Sequence, residues 1–173
     1  MKLSAIVIAG LLLAPATGAW AQGVNDAQIA SIVVTANQVD IDAGNLAKKQ
    51  ATNPEVKKFA DLMVTDHTGV NKSATALVTK LKVTPEDNPT SQSLKSGGDA
   101  NLKTLKGLNG AAFDKAYVDH EVTYHQAVLD AVDKTLLPGA KNEELKALLV
   151  KVRPAFVSHL EHAKHLQSSL GSK

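Results

Sequence analysis

The sequence predicts an all-α protein, a bundle of four long helices in up-down order. Three observations carry this. Apolar residues recur in alternating steps of three and four along four extended segments. Short breaks rich in Asn, Pro and Gly separate those segments. The chain has 173 residues, enough for one domain with a sizeable core.

The first long helix is expected over Asp26–Gln50, with Asn25 or Asp26 capping its start and Ile29, Ile32, Val33, Ala36, Val39, Ala43 and Leu46 forming its stripe. Thr52-Asn53-Pro54-Glu55 closes it and opens the second, with Asn53 as cap and Pro54 in the first turn. So short a connection makes the two antiparallel neighbours. The second helix runs to about Leu81 on the seam Val56, Ala60, Met63, His67, Val70, Ala74, Leu77, Leu81. Val83 to Gln92 reads as a loop, and Ser93 to Leu105 as a short extra helix broken near Gly97-Gly98.

The third long helix is expected over about Ala111 to Leu136, on Val118, Val122, His125, Leu129, Val132 and Leu136. Leu137-Pro138-Gly139 is a tight break. The fourth runs from about Lys141 to Ser169 with Asn142 as its cap, on Leu145, Leu149, Val152, Phe156, His159, Ala163, Leu166 and Leu170. Pro154 inside it removes a backbone donor and should bend it. The simpler reading is a bend that follows the core; the alternative is one that aims His159.

Residues 1–21 read as a signal peptide. Lys2 supplies the positive start, Ile6 to Leu13 the apolar centre, and Ala19-Trp20-Ala21 the small-x-small cleavage pattern. Cleavage after Ala21 leaves a single bundle domain, Gln22 to Lys173. The apolar stretch is short for a membrane span and Pro15 interrupts it, so no membrane attachment is expected after cleavage. Nineteen basic and seventeen acidic residues, with no basic patch interleaved with aromatics, argue against nucleic acid as a partner. The absence of cysteine excludes disulfides, thiolate metal sites, iron–sulfur clusters and c-type haem attachment, and suits an exported protein of a bacterial periplasm.

His67, His125 and His159 each stand alone on an otherwise apolar seam, where an unbonded, unligated polar ring is costly. All three lie near the middle of their helices, hence at similar depth in an up-down bundle. Asp40, with Asn37 on the same side, holds the same level on the first helix, and Glu121 lies one turn before His125. Three imidazoles with a carboxylate suit a divalent or redox metal: zinc, copper, iron or manganese. Val64 and Phe156 stand where a di-iron pattern needs Glu three residues before His67 and His159. Met63 alone does not make a methionine-rich copper site. A metal-free network is the competing reading, since Asp40, Glu121, Asn37 or Tyr117 could satisfy a core histidine. Asp66 points about 100° from His67, and is open to a role between helices or in solvent. His162 and His165 flank the fourth seam and His120 lies off the third; these three are expected at the surface. Phosphate loops, dinucleotide fingerprints and nucleophile elbows are absent, and no spacing suggests a catalytic triad.

Phe59-Ala60-x-x-Met63-x-x-Asp66-His67, Phe113-Asp114-x-x-Tyr117 with His125, and Pro154-x-x-x-x-His159-Leu160 together resemble the exported bacterial family called domain of unknown function 4142. Asn37-x-x-Asp40 also matches, although that family more often carries Glu in place of Asp40. The resemblance spans the chain after the leader. It implies a ferritin-like four-helix bundle in the periplasm or cell envelope, and a ligand group of Asp40, His67, His125 and His159 with Glu121 as an added candidate. It implies no substrate. Three functions share this signature: a metal-binding protein tied to metal handling or envelope and oxidative stress, a structural or interaction protein with a metal-free histidine core, and a metal-dependent redox enzyme. A non-catalytic protein is favoured.

Overall fold

The computed structural model describes residues 23–171, so the expected leader lies outside the described residues. The elements are α1 (Asp26–Gln50), α2 (Pro54–Leu81), α3 (Pro89–Lys106), α4 (Gly110–Ala131), a π-helical turn (Val132–Leu136), α5 (Leu137–Gly139) and α6 (Glu143–Gly171). The protein is an all-α bundle, and no strand occurs among the described residues. None of these helices is long and apolar enough to cross a membrane.

The expected caps form. Asn25 accepts from Gln28 N–H, Asn53 from Glu55 N–H, and Asn142 from the N–H groups of Glu144 and Leu145. Each satisfies donors that a helix start leaves without partners. α6 continues through Pro154, which is exposed, so the lost backbone bond lies on the solvent side.

Carboxylates tie the ends of the bundle and set its direction. Asp26 at the start of α1 accepts from the N–H groups of Lys141 and Asn142, just before α6. Asp114 at the start of α4 accepts from Thr52 N–H at 2.9 Å, Thr52 Oγ1 at 2.6 Å and Asn53 N–H at 2.9 Å, where α1 turns into α2. α1 and α6 therefore start at one end, α2 and α4 at the other. α3 runs beside α1 and in its direction: Asn88 Nδ2 donates to Gln28 O near the start of α1, and Gln50 at its end donates to Leu108 O. Direction thus alternates along the chain.

The extra helix is longer than the sequence pattern suggested. It begins at Pro89, has 18 residues and does not break at Gly97-Gly98. Asn88 caps it through Thr90 and Ser91 N–H, while Ser91 Oγ accepts from Asn88 N–H. The two glycines play different parts. A methyl group on Gly98 would lie 2.7 Å from Val39 Cγ2, whereas one on Gly97 would meet nothing within 4 Å. Gly98 is thus where α3 closes on α1, against a stiff β-branched side chain. Gly97→Ala should raise stability by about 0.5–1 kcal/mol through helix propensity. Gly98→Ala should lower it by about 1–2 kcal/mol through overpacking. Urea midpoints of the two variants should move in opposite directions.

The core has two main apolar clusters. One, toward the α1–α2 turn, contains Phe59, Met63, Leu105, Phe113 and Tyr117. The other, toward the α6 start, contains Ile29, Ile32, Val132, Leu145 and Leu149. Midway along the long helices lie buried Asn37, Asp40, His67, Glu121, His125 and His159.

Candidate metal centre

Four helices meet at this buried polar layer. α1 brings Asn37 and Asp40, α2 His67, α4 Glu121 and His125, and α6 His159. The His67, His125 and His159 rings stand with centroids 5.2–5.5 Å apart. Each of the three offers a ligand nitrogen within 4.8 Å of the others, and Asp40, Glu121 and His125 form a second such group sharing His125. Nitrogens bound to one tetrahedral ion lie about 3.3 Å apart, so small side-chain rotations would close the first group.

The hydrogen bonds set the orientation of every ring. Asn37 Nδ2 donates to Val33 O, which turns Asn37 Oδ1 toward His67 Nδ1 at 2.7 Å. His67 therefore carries its proton on Nδ1. His125 Nδ1 donates to Glu121 O at 3.1 Å. His159 Nε2 donates to Asp66 Oδ2 at 2.9 Å. The remaining nitrogens, His67 Nε2, His125 Nε2 and His159 Nδ1, keep their lone pairs, and all three are buried without a hydrogen-bond partner. An outward N–H fixed by an oxygen and an inward lone pair is the arrangement that orients imidazole for metal ligation. Phe156 stacks on His67 with centroids 5.4 Å apart and rings 8° from parallel, which holds the ring in place.

The carboxylates complete the centre. Asp40 Oδ2 lies 3.3 Å from His67 Nε2 and 4.0 Å from His125 Nε2. Glu121 Oε2 lies 3.4 Å from His125 Nδ1. Glu121, fully buried, and the Tyr117 hydroxyl face each other and the Asp40 carboxyl without a well-formed hydrogen bond to either Glu121 oxygen or to the hydroxyl. Such groups in a native interior call for an ion or water. Burial raises the pKa of Glu121 to about 7 against the pull of the Asp40 carboxyl and Tyr117 hydroxyl facing it. Burial, then the nearby Glu121 charge, raises Asp40 well above the carboxylate range. Burial pushes His67 down to about 2, aided by the charges that His125 and His159 would carry. His159 is also lowered by burial, although Asp66 opposes the shift. The metal-free layer thus favours neutral groups, as low-dielectric surroundings dictate.

All five expected site residues lie in this layer. Asp66 is also drawn in, as the partner of His159. Tyr117, which the sequence offers as one of several partners for a core histidine, also faces the layer; its place one turn before Glu121 on α4 is the signal for it. His120 differs from expectation. It is half-buried and stacked on Tyr124 at 5.5 Å, with Nδ1 buried and unpartnered. Its pKa is lowered by burial and by the nearby His125. His162 is half-buried too, its ring edge-on to Phe59 at 5.0 Å. His165 is exposed as expected.

The profile of the domain of unknown function family DUF4142 matches residues 12–166. The chain belongs to that family. In fold it is similar to the crystal structure of a DUF305 protein of Streptomyces coelicolor, itself predicted to be secreted. That likeness has a TM-score of 0.69 at 12% identity and covers 83% of this chain and 92% of the other. No curated protein is significantly similar to this DUF4142 chain.

Proposed function

We propose that this DUF4142 protein is exported and binds one divalent transition-metal ion in the middle of its bundle, for metal handling or protection of the cell envelope under oxidative stress. His67 Nε2, His125 Nε2 and His159 Nδ1 are the neutral ligands, and Asp40 and Glu121 supply carboxylate. The observation that carries this reading is the set of three buried inward lone pairs, each on a ring whose other nitrogen donates to an oxygen. An all-nitrogen and oxygen set without sulfur suits zinc, manganese, iron or copper(II). The bound ion would neutralise a carboxylate that burial otherwise holds protonated. Export is supported by the Lys2, Ile6–Leu13 and Ala19-Trp20-Ala21 pattern, and a periplasmic location by the lack of cysteine.

Metal analysis of tag-free protein tests the reading. Wild type should carry about one ion per chain, and the triple variant H67A/H125A/H159A none; equal contents in the two proteins would sink the idea. Asp66→Ala offers a milder check that keeps every ligand. Freeing the His159 ring should weaken binding about 10–100-fold, as loss of ligand-orienting partners does elsewhere.

A further inference from the structure

Beside the polar layer, and bordered by Asp40 and His67 of the ligand set, lies a cavity of about 120 Å³. Its walls come from α1, α3, α4, the π-helical turn and α6, through Ile32, Leu94, Val128, Val132 and Val152, with Ala36 leaving the space open. Asn37, Asp40 and His67 line it on the side of the candidate centre. Thr90 on α3 and Ala127 on α4 also border it and are exposed, so it reaches the surface between those helices.

The chemistry of the lining restricts what can occupy this space. Asn37 Nδ2 is committed to Val33 O and its Oδ1 to His67, while the Tyr124 hydroxyl donates to Ala36 O at 2.9 Å. Apart from the Asp40 carboxyl and the His67 ring at the end toward the centre, the remaining buried wall is apolar, so a charged or strongly hydrogen-bonding molecule would lose most of its water there without return. In the well-studied engineered case, an apolar cavity of roughly 150 Å³ stays dry and takes up benzene or xenon. The π-helical turn supplies Val132 and Leu136 to this wall, and such departures from α-helical geometry recur at functional sites.

We propose that the cavity is a binding site for a small, uncharged, apolar molecule of the size and polarity of dioxygen, and that it presents this molecule to the centre beside Asp40 and His67. Binding in the cavity requires no metal; presentation to an ion rests on the metal-binding function proposed above. The open side toward α3 is also the side on which the layer has apolar walls rather than ligands, so the molecule meets the ion from there. Ionic oxidants are excluded by the same walls.

Xenon is the probe. The 129Xe NMR shift should change saturably with metal-free wild-type protein. Ala36→Leu and Leu94→Phe, which fill the space from α1 and from α3, should each weaken that binding at least tenfold. In cobalt(II)-loaded wild type the bound xenon should be broadened by the paramagnetic ion. No saturable shift with wild type overturns the proposal, as does an unchanged shift in both filled variants with native circular dichroism. Metal content measured on the same samples separates the two ideas. Protein that takes up cobalt but no xenon defeats the cavity assignment alone. Xenon binding without metal uptake defeats the metal function and, with it, presentation to an ion.

Discussion

Glu121→Gln should stabilise the metal-free protein at pH 8 by about 2–3 kcal/mol and, in the same molecule, weaken metal binding tenfold or more. The first effect follows from linkage, in which a tenfold change in proton affinity between the unfolded and folded chain is equivalent to about 1.4 kcal/mol of stability. In the unfolded chain Glu121 ionises near 4.5; in the fold, burial holds the proton to about 7. A carboxyl with a raised folded pKa stabilises relatively at low pH, and that advantage is lost as pH rises from about 4.5 through 7. Above 7 wild type bears the full cost of a buried carboxylate. Glutamine keeps the shape without the charge and escapes the cost. Asp40, shifted in the same direction, adds to the alkaline decline. His67 works oppositely: its pKa falls from 6.5 to about 2, so stability drops as pH falls below 6.5 and the unfolded chain takes up the proton. Metal-free wild type should therefore lose stability both below about pH 4, where the His67 slope acts alone, and above about pH 6.5, where only the carboxylate slopes remain, while Glu121→Gln keeps the acid decline and loses part of the alkaline one. Metal binding has the reverse slope, because protons compete for the same atoms, so stabilisation by added zinc should grow from pH 5 to 8. Urea titrations with and without zinc read both effects. A variant less stable than wild type at pH 8 without metal would show that Glu121 is held ionised by partners rather than kept neutral by burial.

The seams carried most of this architecture in plain view. Steps of three and four placed His67, His125 and His159 inward, and the matched midpoints of four helices brought Asp40 and Glu121 to the same layer. What remained hidden depends on contacts between helices. The bond from Asp66 to His159 joins α2 to α6, and no periodicity within α2 encodes a partner 93 residues away. The glycines at 97 and 98 read as a break because propensity is a local property; Val39 on another helix is what requires one of them. The start of α3 at Pro89 escapes the sequence pattern because its cap is completed by Ser91 rather than by the Glu or Gln of the usual box. The π-helical turn carries no sequence mark before Pro138, so the wall it gives the cavity could not be foreseen.

Asp114→Ala should lower stability by about 3 kcal/mol and the melting temperature by about 10 °C. The carboxylate is 2% exposed and accepts three hydrogen bonds from the α1–α2 turn. Removing it leaves the N–H groups of Thr52 and Asn53 and the Thr52 hydroxyl without their acceptor in a partly buried corner. Bonds to a charged acceptor are about twice as strong as neutral ones, which is why one short side chain matters this much. Asp114→Asn should recover less than half of the loss, because its NH2 group would face a donor where the second oxygen now accepts. The consequence reaches the candidate centre. α4 has no side-chain cap of its own at Asn109, so Asp114 is what fixes its start against α1 and α2. Glu121 and His125 lie two and three turns farther along that helix, opposite Asp40 and His67. If the start of α4 loosens, their height relative to α1 and α2 is no longer set, and metal affinity should fall together with stability although no ligand has changed. Paired urea and zinc titrations of Asp114→Ala and Asp114→Asn check this. An unchanged zinc affinity in a destabilised Asp114→Ala protein would mean that packing alone holds α4 in register.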